Sequence, residues 1–223
     1  MKGLIIKDFY LIRFQLIITS ISALMIAYMC YSFAPTAGLN TAMGDVGRIM
    51  IPAMFDYVII VIGSSFFLNT ISEDFISGWV KQQRTLPISN RQAVGAKLIA
   101  TYILISGLAL FSLAFNLIFL FSYGGTLEII LAIPLCVGLV QVIALSPVFP
   151  LGQRFGLKAA NTVYMLGEIL IAIIAAFVMF PALSKEIPII TLRIAFYGAL
   201  PLIAAGVAAL SFVCSSRLIN NDV

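Results

Sequence analysis

The chain has 223 residues, of which 62% are hydrophobic and only 10% charged, with a net charge of +4 and a mean hydropathy of +1.12. Soluble domains carry about 25% charged residues, so a soluble fold is excluded. Several apolar runs of about 20 residues, each matched to a bilayer core of roughly 30 Å, point to an all-α polytopic membrane protein. The alternating pattern of a transmembrane barrel is absent. With no histidine in the chain, the usual general base and the commonest metal ligand are missing. Cys30, Cys136 and Cys214 all sit inside apolar runs without paired or metal-like spacing, so no metal site is expected.

Taken in order, residues 1–14 alternate apolar positions with Lys2, Lys7, Asp8 and Arg13. Their spaced charges and aromatics predict a helix lying in the membrane interface, the competing reading being a simple extension of the first span. The apolar run that follows is full length and lacks a small-residue cleavage site, so no signal cleavage is expected. Spans are expected at about 15–33, 49–71, 98–123, 127–149, 162–180 and 189–214. Pro52 is placed in the first turn of the second span, where a missing N–H costs little. Pro134 is expected to kink the fourth, and Pro147 and Pro150 to close it. With six spans and the N-terminus inside, Lys2, Lys7, Arg13, Lys81, Arg84, Arg91, Lys97, Arg154, Lys158 and Arg217 fall on the inner side and Arg48, Lys185 and Arg193 on the outer. That bias predicts both termini in the cytoplasm. No internal repeat, second domain or linker is evident.

The longest polar interval is Ser72 to Lys97. Ser72 can cap a helix whose first turn holds Glu73 and Asp74, the sign that a helix start favours. Ile71, Phe75, Ile76, Trp79 and Val80 recur at helical spacing as one apolar face. Lys81 and Arg84 follow near the end, and Leu86-Pro87 stops the helix. Gly78 inside it is unfavourable by roughly 1 kcal/mol against alanine, and would permit close approach of a partner. Ser89 to Gln92 reads as a capping box that starts the next helix. The interval therefore encodes helix, break, helix. An ordinary cytoplasmic loop with an interfacial tryptophan is the plainer reading of the same residues.

The run E-D-F-I-S-G-W-V-K, with T-L-P-I-S-N-R-Q-A-V-G-A-K after it, resembles the cytoplasmic segment of ABC-2-type transporter permeases, the membrane subunits of ATP-binding-cassette exporters. The opening M-K-G-L-I-I-K-D-F-Y and the later P-L-G-Q-R-F-G-L-K-A-A-N resemble the same group at corresponding places. The resemblance covers the whole chain and is closest to small bacterial permeases, including exporters of phenol-soluble modulins and other amphipathic peptides. It implies a single ABC-2-type transmembrane domain over 1–223. It implies six transmembrane helices, an N-terminal interfacial helix and a cytoplasmic coupling helix between spans two and three. That coupling helix, about Glu73–Leu86, would dock an ABC ATPase subunit through Glu73, Asp74, Phe75, Ile76, Trp79, Val80, Lys81, Arg84 and Leu86. It also implies a second permease copy or a sister permease, and a place in the bacterial cytoplasmic membrane.

No G-x-x-x-x-G-K-[ST] loop occurs, so ATP and Mg would be held by a partner and the chain itself would carry no cofactor. Neither H-E-x-x-H nor G-x-S-x-G is present, which leaves no intramembrane enzyme signature. No nucleic-acid partner is expected. Asp56 and Glu168 lie well inside spans, where a charged side chain costs about 2.5–3.5 kcal/mol. With Gln141 they are candidates for a translocation path, or else for interhelical hydrogen bonds that fix packing. For Gln141, Asn69 and Asn116, packing is the better reading. Two functions thus stand. One is the permease of an ABC exporter of amphipathic peptides, or of lipid or drug. The other is an ion- or proton-coupled carrier using Asp56 and Glu168.

Overall fold

A computed structural model describes residues 2–33, 44–76, 89–123, 127–156, 158–169 and 198–221. Among them every regular element is helical. We label these α1 (Lys2–Phe33), α2 (Gly44–Tyr57), α3 (Gly63–Ile76), α4 (Asn90–Tyr123), α5 (Leu127–Leu145), α6 (Val148–Phe155), α7 (158–169) and α8 (Leu200–Asn221). A π-helical segment, Val58–Ile62, joins α2 to α3 without a break, so residues 44–76 form one rod. Five helical windows are long and apolar enough to cross a membrane: Gly3–Met29, Ile51–Leu68, Arg91–Tyr123, Leu131–Gly152 and Leu200–Arg217. Most of the expected fifth span, 162–180, lies outside the described residues.

The first 33 residues depart from expectation in an informative way. The interfacial helix and first span predicted separately are a single 32-residue helix, about 48 Å long. Its early turns pack against the bundle: Ile12 is in the core, with Ile5 and Phe9 packed against it. The opposite face exposes Ile6, Tyr10, Phe14, Ile17 and Ile21, as a helix bordering lipid does. Arg13 stays outside with its guanidinium 3.9 Å from the Tyr10 ring centre.

The second rod also differs. Its helix begins at Gly44, so Pro52 lies inside α2 rather than in a first turn, and its ring removes one i→i−4 bond. At the other end α3 runs through Ser72 to Ile76, so Ser72 is helix interior and not a cap. The Ser89 to Gln92 capping box is present as expected. Ser89 N donates to Gln92 Oε1 and Gln92 N to Ser89 Oγ, both at 3.2 Å, and α4 starts at Asn90. Pro134 sits inside α5. Ser146 and Pro147 form a turn after α5, and Pro150 falls in the first turn of the short α6, so neither proline closes the membrane-length window, which runs on to Gly152. Gly156 ends α6 at φ +85°, a left-handed conformation suited to glycine.

α4 is the central helix, packing on α1, the 44–76 rod, α5 and α8. The larger core gathers Ile12, Ile60, Phe67, Ile71, Leu104, Ile105, Leu145 and Tyr164. A smaller one stacks Phe55 on Phe115 with ring centres 3.8 Å apart, and Phe119 and Ala23 complete it. Where the π segment ends, Gly63 meets α4 so closely that a Cβ there would lie 2.6 Å from Leu108 Cδ1. Small residues of this kind let membrane helices approach.

Candidate functional site

Two buried polar assemblies cross the bundle. The first sits where α1 and α4 begin and α3 ends. Lys97 Nζ donates to Asp8 Oδ1 at 2.9 Å and to Asp74 Oδ2 at 2.5 Å, and Lys7 Nζ donates to Asp74 Oδ1 at 2.5 Å. Lys97, Asp8 and Asp74 are respectively 6%, 3% and 9% exposed, so these are buried ion pairs. Among the described residues two cations face two carboxylates, so the charges balance. The Phe67 ring lies 5.6 Å from Lys97 Nζ and adds a weak cation–π contact. Removing one partner of such a group strands a charge in the interior, typically about 3–5 kcal/mol.

The second assembly lies along the rod on either side of the π segment. Asp56, fully buried in the last turn of α2, accepts a bond from Asn116 Nδ2 of α4 at 2.8 Å. Ser64, just past the π segment, donates to Gln141 Oε1 of α5 at 3.0 Å. Gln141 Nε2 in turn donates to Glu168 Oε1 of α7 at 2.7 Å. Tyr164 OH points to Gln141 Oε1 at a long 3.5 Å. Gln141 is thus the junction of three helices. Asp56 Oδ1 and Glu168 Oε2 are buried without a hydrogen-bond partner among the described residues. Neither carboxyl forms an ion pair among the described residues. π-helical insertions of this kind recur at functional sites, and here one separates the two polar contacts of a single rod. A third, smaller contact ties α8 in: the Ser211 hydroxyl donates to the Ser146 carbonyl, and Tyr102 OH lies 2.9 Å from Ser146 Oγ.

Residues 3–220 match the family model described as ABC-2 family transporter protein. The chain belongs to the ABC-2 transporter family. The ABC-2 chain is accordingly a membrane component of an ABC transporter, a permease that is not itself the ATPase. No curated protein and no solved structure matches it.

Of the residues singled out for a translocation path in this ABC-2 permease, the structure joins Gln141 to Glu168 and places Asp56 apart, on Asn116. The Asn69 side chain is outside those described. Of the docking residues, Glu73 is exposed and Asp74 is turned inward to the ion cluster. Phe75 and Ile76 belong to α3 by backbone. Trp79, Val80, Lys81, Arg84 and Leu86 lie outside the described residues, as does Gly78. Lys7, Asp8 and Lys97 were not among the candidates. A signal for them existed: a lysine in G-A-K-L-I-A, entering an apolar span, needs a carboxylate partner if it is buried. Among the described residues no group of three His, Cys, Asp or Glu could hold a metal.

Proposed function

We propose that the chain is the permease of a bacterial exporter, set in the cytoplasmic membrane with both termini inside, and that it moves amphipathic peptides out of the cell. Energy comes from ATP and Mg on a separate ATPase subunit that docks at about Glu73–Leu86. The permease works as a pair with a second copy or a sister chain. The observation that best supports a lever at this place is the ion cluster. Asp74, at the root of the docking segment, is tied to Lys7 of α1 and to Lys97 of α4. A push on the segment would therefore reach two membrane helices at once. The two acids divide the work: exposed Glu73 faces the ATPase, while Asp74 anchors the segment.

The test is purification with the ATPase subunit and measurement of ATP hydrolysis and of peptide efflux from cells. Trp79→Ala is expected to lower docking and substrate-stimulated turnover together. Unchanged docking and turnover would remove the coupling assignment. A carrier reading draws on one observation, that Asp56 and Glu168 each keep a buried oxygen without a partner among the described residues. It requires efflux that continues without the ATPase and stops in Asp56→Asn or Glu168→Gln.

A further inference from the structure

An open groove of about 490 Å³ lies between the start of α4 and the second half of α8. Its walls are Gly95, Leu98 and Ile99 on one side and Ala208, Ala209 and Phe212 on the other. The depth follows from the sequence, because glycine and two alanines leave room that larger side chains would fill. The apolar stems of Arg91 and Gln92, in the first turn of α4, line the same groove at one end, and both residues are exposed, which leaves their polar heads at its mouth. Gln92 spends its carbonyl oxygen on Ser89 N, which leaves its amide hydrogens for an outside acceptor.

The level of this polar end in the bilayer can be read from two helices. Arg91 is the first residue of the membrane-length window of α4, and Arg217 is the last residue of that of α8. Both helices change from apolar to cationic at the same end, which is where headgroups lie. Neither arginine forms an ion pair among the described residues. A cation and an amide donor at headgroup depth, above a wholly apolar trough, complement one molecule with an anionic head and a hydrocarbon tail.

We propose that this groove seats one acyl chain of an anionic phospholipid, with its phosphate on Arg91 and Gln92. The site requires only that α4 and α8 span the membrane, so it stands apart from the ATPase and the cargo. The occupant comes from the bilayer itself, as the groove's apolar length and its charge both require.

The full chain, purified in detergent, is washed and the retained lipid counted by native mass spectrometry against phosphatidylglycerol and phosphatidylcholine. A single phosphatidylglycerol is expected to persist after phosphatidylcholine is stripped. Arg91→Ala should lower that retention about fivefold, the factor for one cation at a headgroup, and Arg91→Lys should restore most of it. Ala208→Phe, which fills the trough and leaves the arginine, should lower it as well. Ala209→Val reads the same trough should the larger residue disturb folding, with melting temperature and elution volume as the check. Equal retention of both lipids, or retention unchanged in both Arg91→Ala and the filled-groove variant, overturns the site. Displacement of the lipid by inorganic phosphate also overturns it, since it would mark a free-anion site.

Discussion

The ion cluster at the start of α4 and the polar chain through Gln141 bury carboxyl groups in opposite ways. In the cluster, Asp8 and Asp74 meet Lys97 and Lys7, charge against charge. In the chain, Glu168 of α7 meets an amide, and Asp56, apart from it on the 44–76 rod, meets another. The difference follows from position. Lysine stems near a helix end can reach inward while the backbone stays close to the interface. Deeper in the membrane a lysine is costly, and amides and hydroxyls take its place. The consequence is energetic. Cutting the cluster leaves net charge in the interior, whereas cutting the chain leaves an unpaired dipole.

The largest expected effect is therefore at Lys97. Lys97→Met leaves two buried carboxylates with Lys7 as their one cation among the described residues. The expected loss is about 3–5 kcal/mol, or a fall in Tm on the order of 10 °C for a chain of this size, read by thermal denaturation in detergent. A variant that melts with the wild type would break the comparison, because Lys97 would then carry no more than an ordinary polar contact.

Gln141 comes next. Gln141→Leu keeps much of the bulk and removes both the acceptor for Ser64 and the donor for Glu168. Ser64 keeps its bond to the Val61 carbonyl at 3.1 Å, so Glu168 is the group left stranded, at about 1–3 kcal/mol, and the same melting experiment should give a clear but smaller shift than Lys97→Met. An equal or larger shift would mean that the deep chain, not the cluster, holds the helices in register.

How much of this could be read in the sequence depends on how local the cause was. The Ser89 to Gln92 capping box joins residues three apart, and the helix starts beside it. Asp56 and Glu168 stood out because a charge in an apolar run must be accommodated somewhere. Asn116 and Gln141 stood out as polar residues within spans, but nothing in the sequence paired them with Asp56 and Glu168, 60 and 27 residues away. Spaced charges in residues 1–14 suggested an interfacial helix, because nothing nearby in sequence shows that Lys7 and Asp8 face Asp74 and Lys97, 67 and 89 residues away. Ser72 had the residue type of a cap, yet Ile71 and Asp74 on either side of it are both buried, and the helix continues through all three. The π segment V-I-I-V-I has no local signature at all. Its close companion is tertiary, the contact of Gly63 with Leu108.

The smallest effect sharpens the comparison within the cluster itself. The Lys7 side chain is 29% exposed, against 7% for Lys97, so water screens its pair with Asp74. Lys7→Met should cost about 1 kcal/mol or less, and the difference from wild type should shrink further as salt is raised. The double variant, Lys7→Met with Lys97→Met, then decides how the four charges act. If they act as independent pairs, its loss equals the two single losses together. If they act as one unit, the second substitution costs more than it does alone, because neither lysine then faces Asp8 and Asp74. The second outcome is expected, since Asp74 is shared by both lysines and, among the described residues, loses both counter-charges only in the double variant.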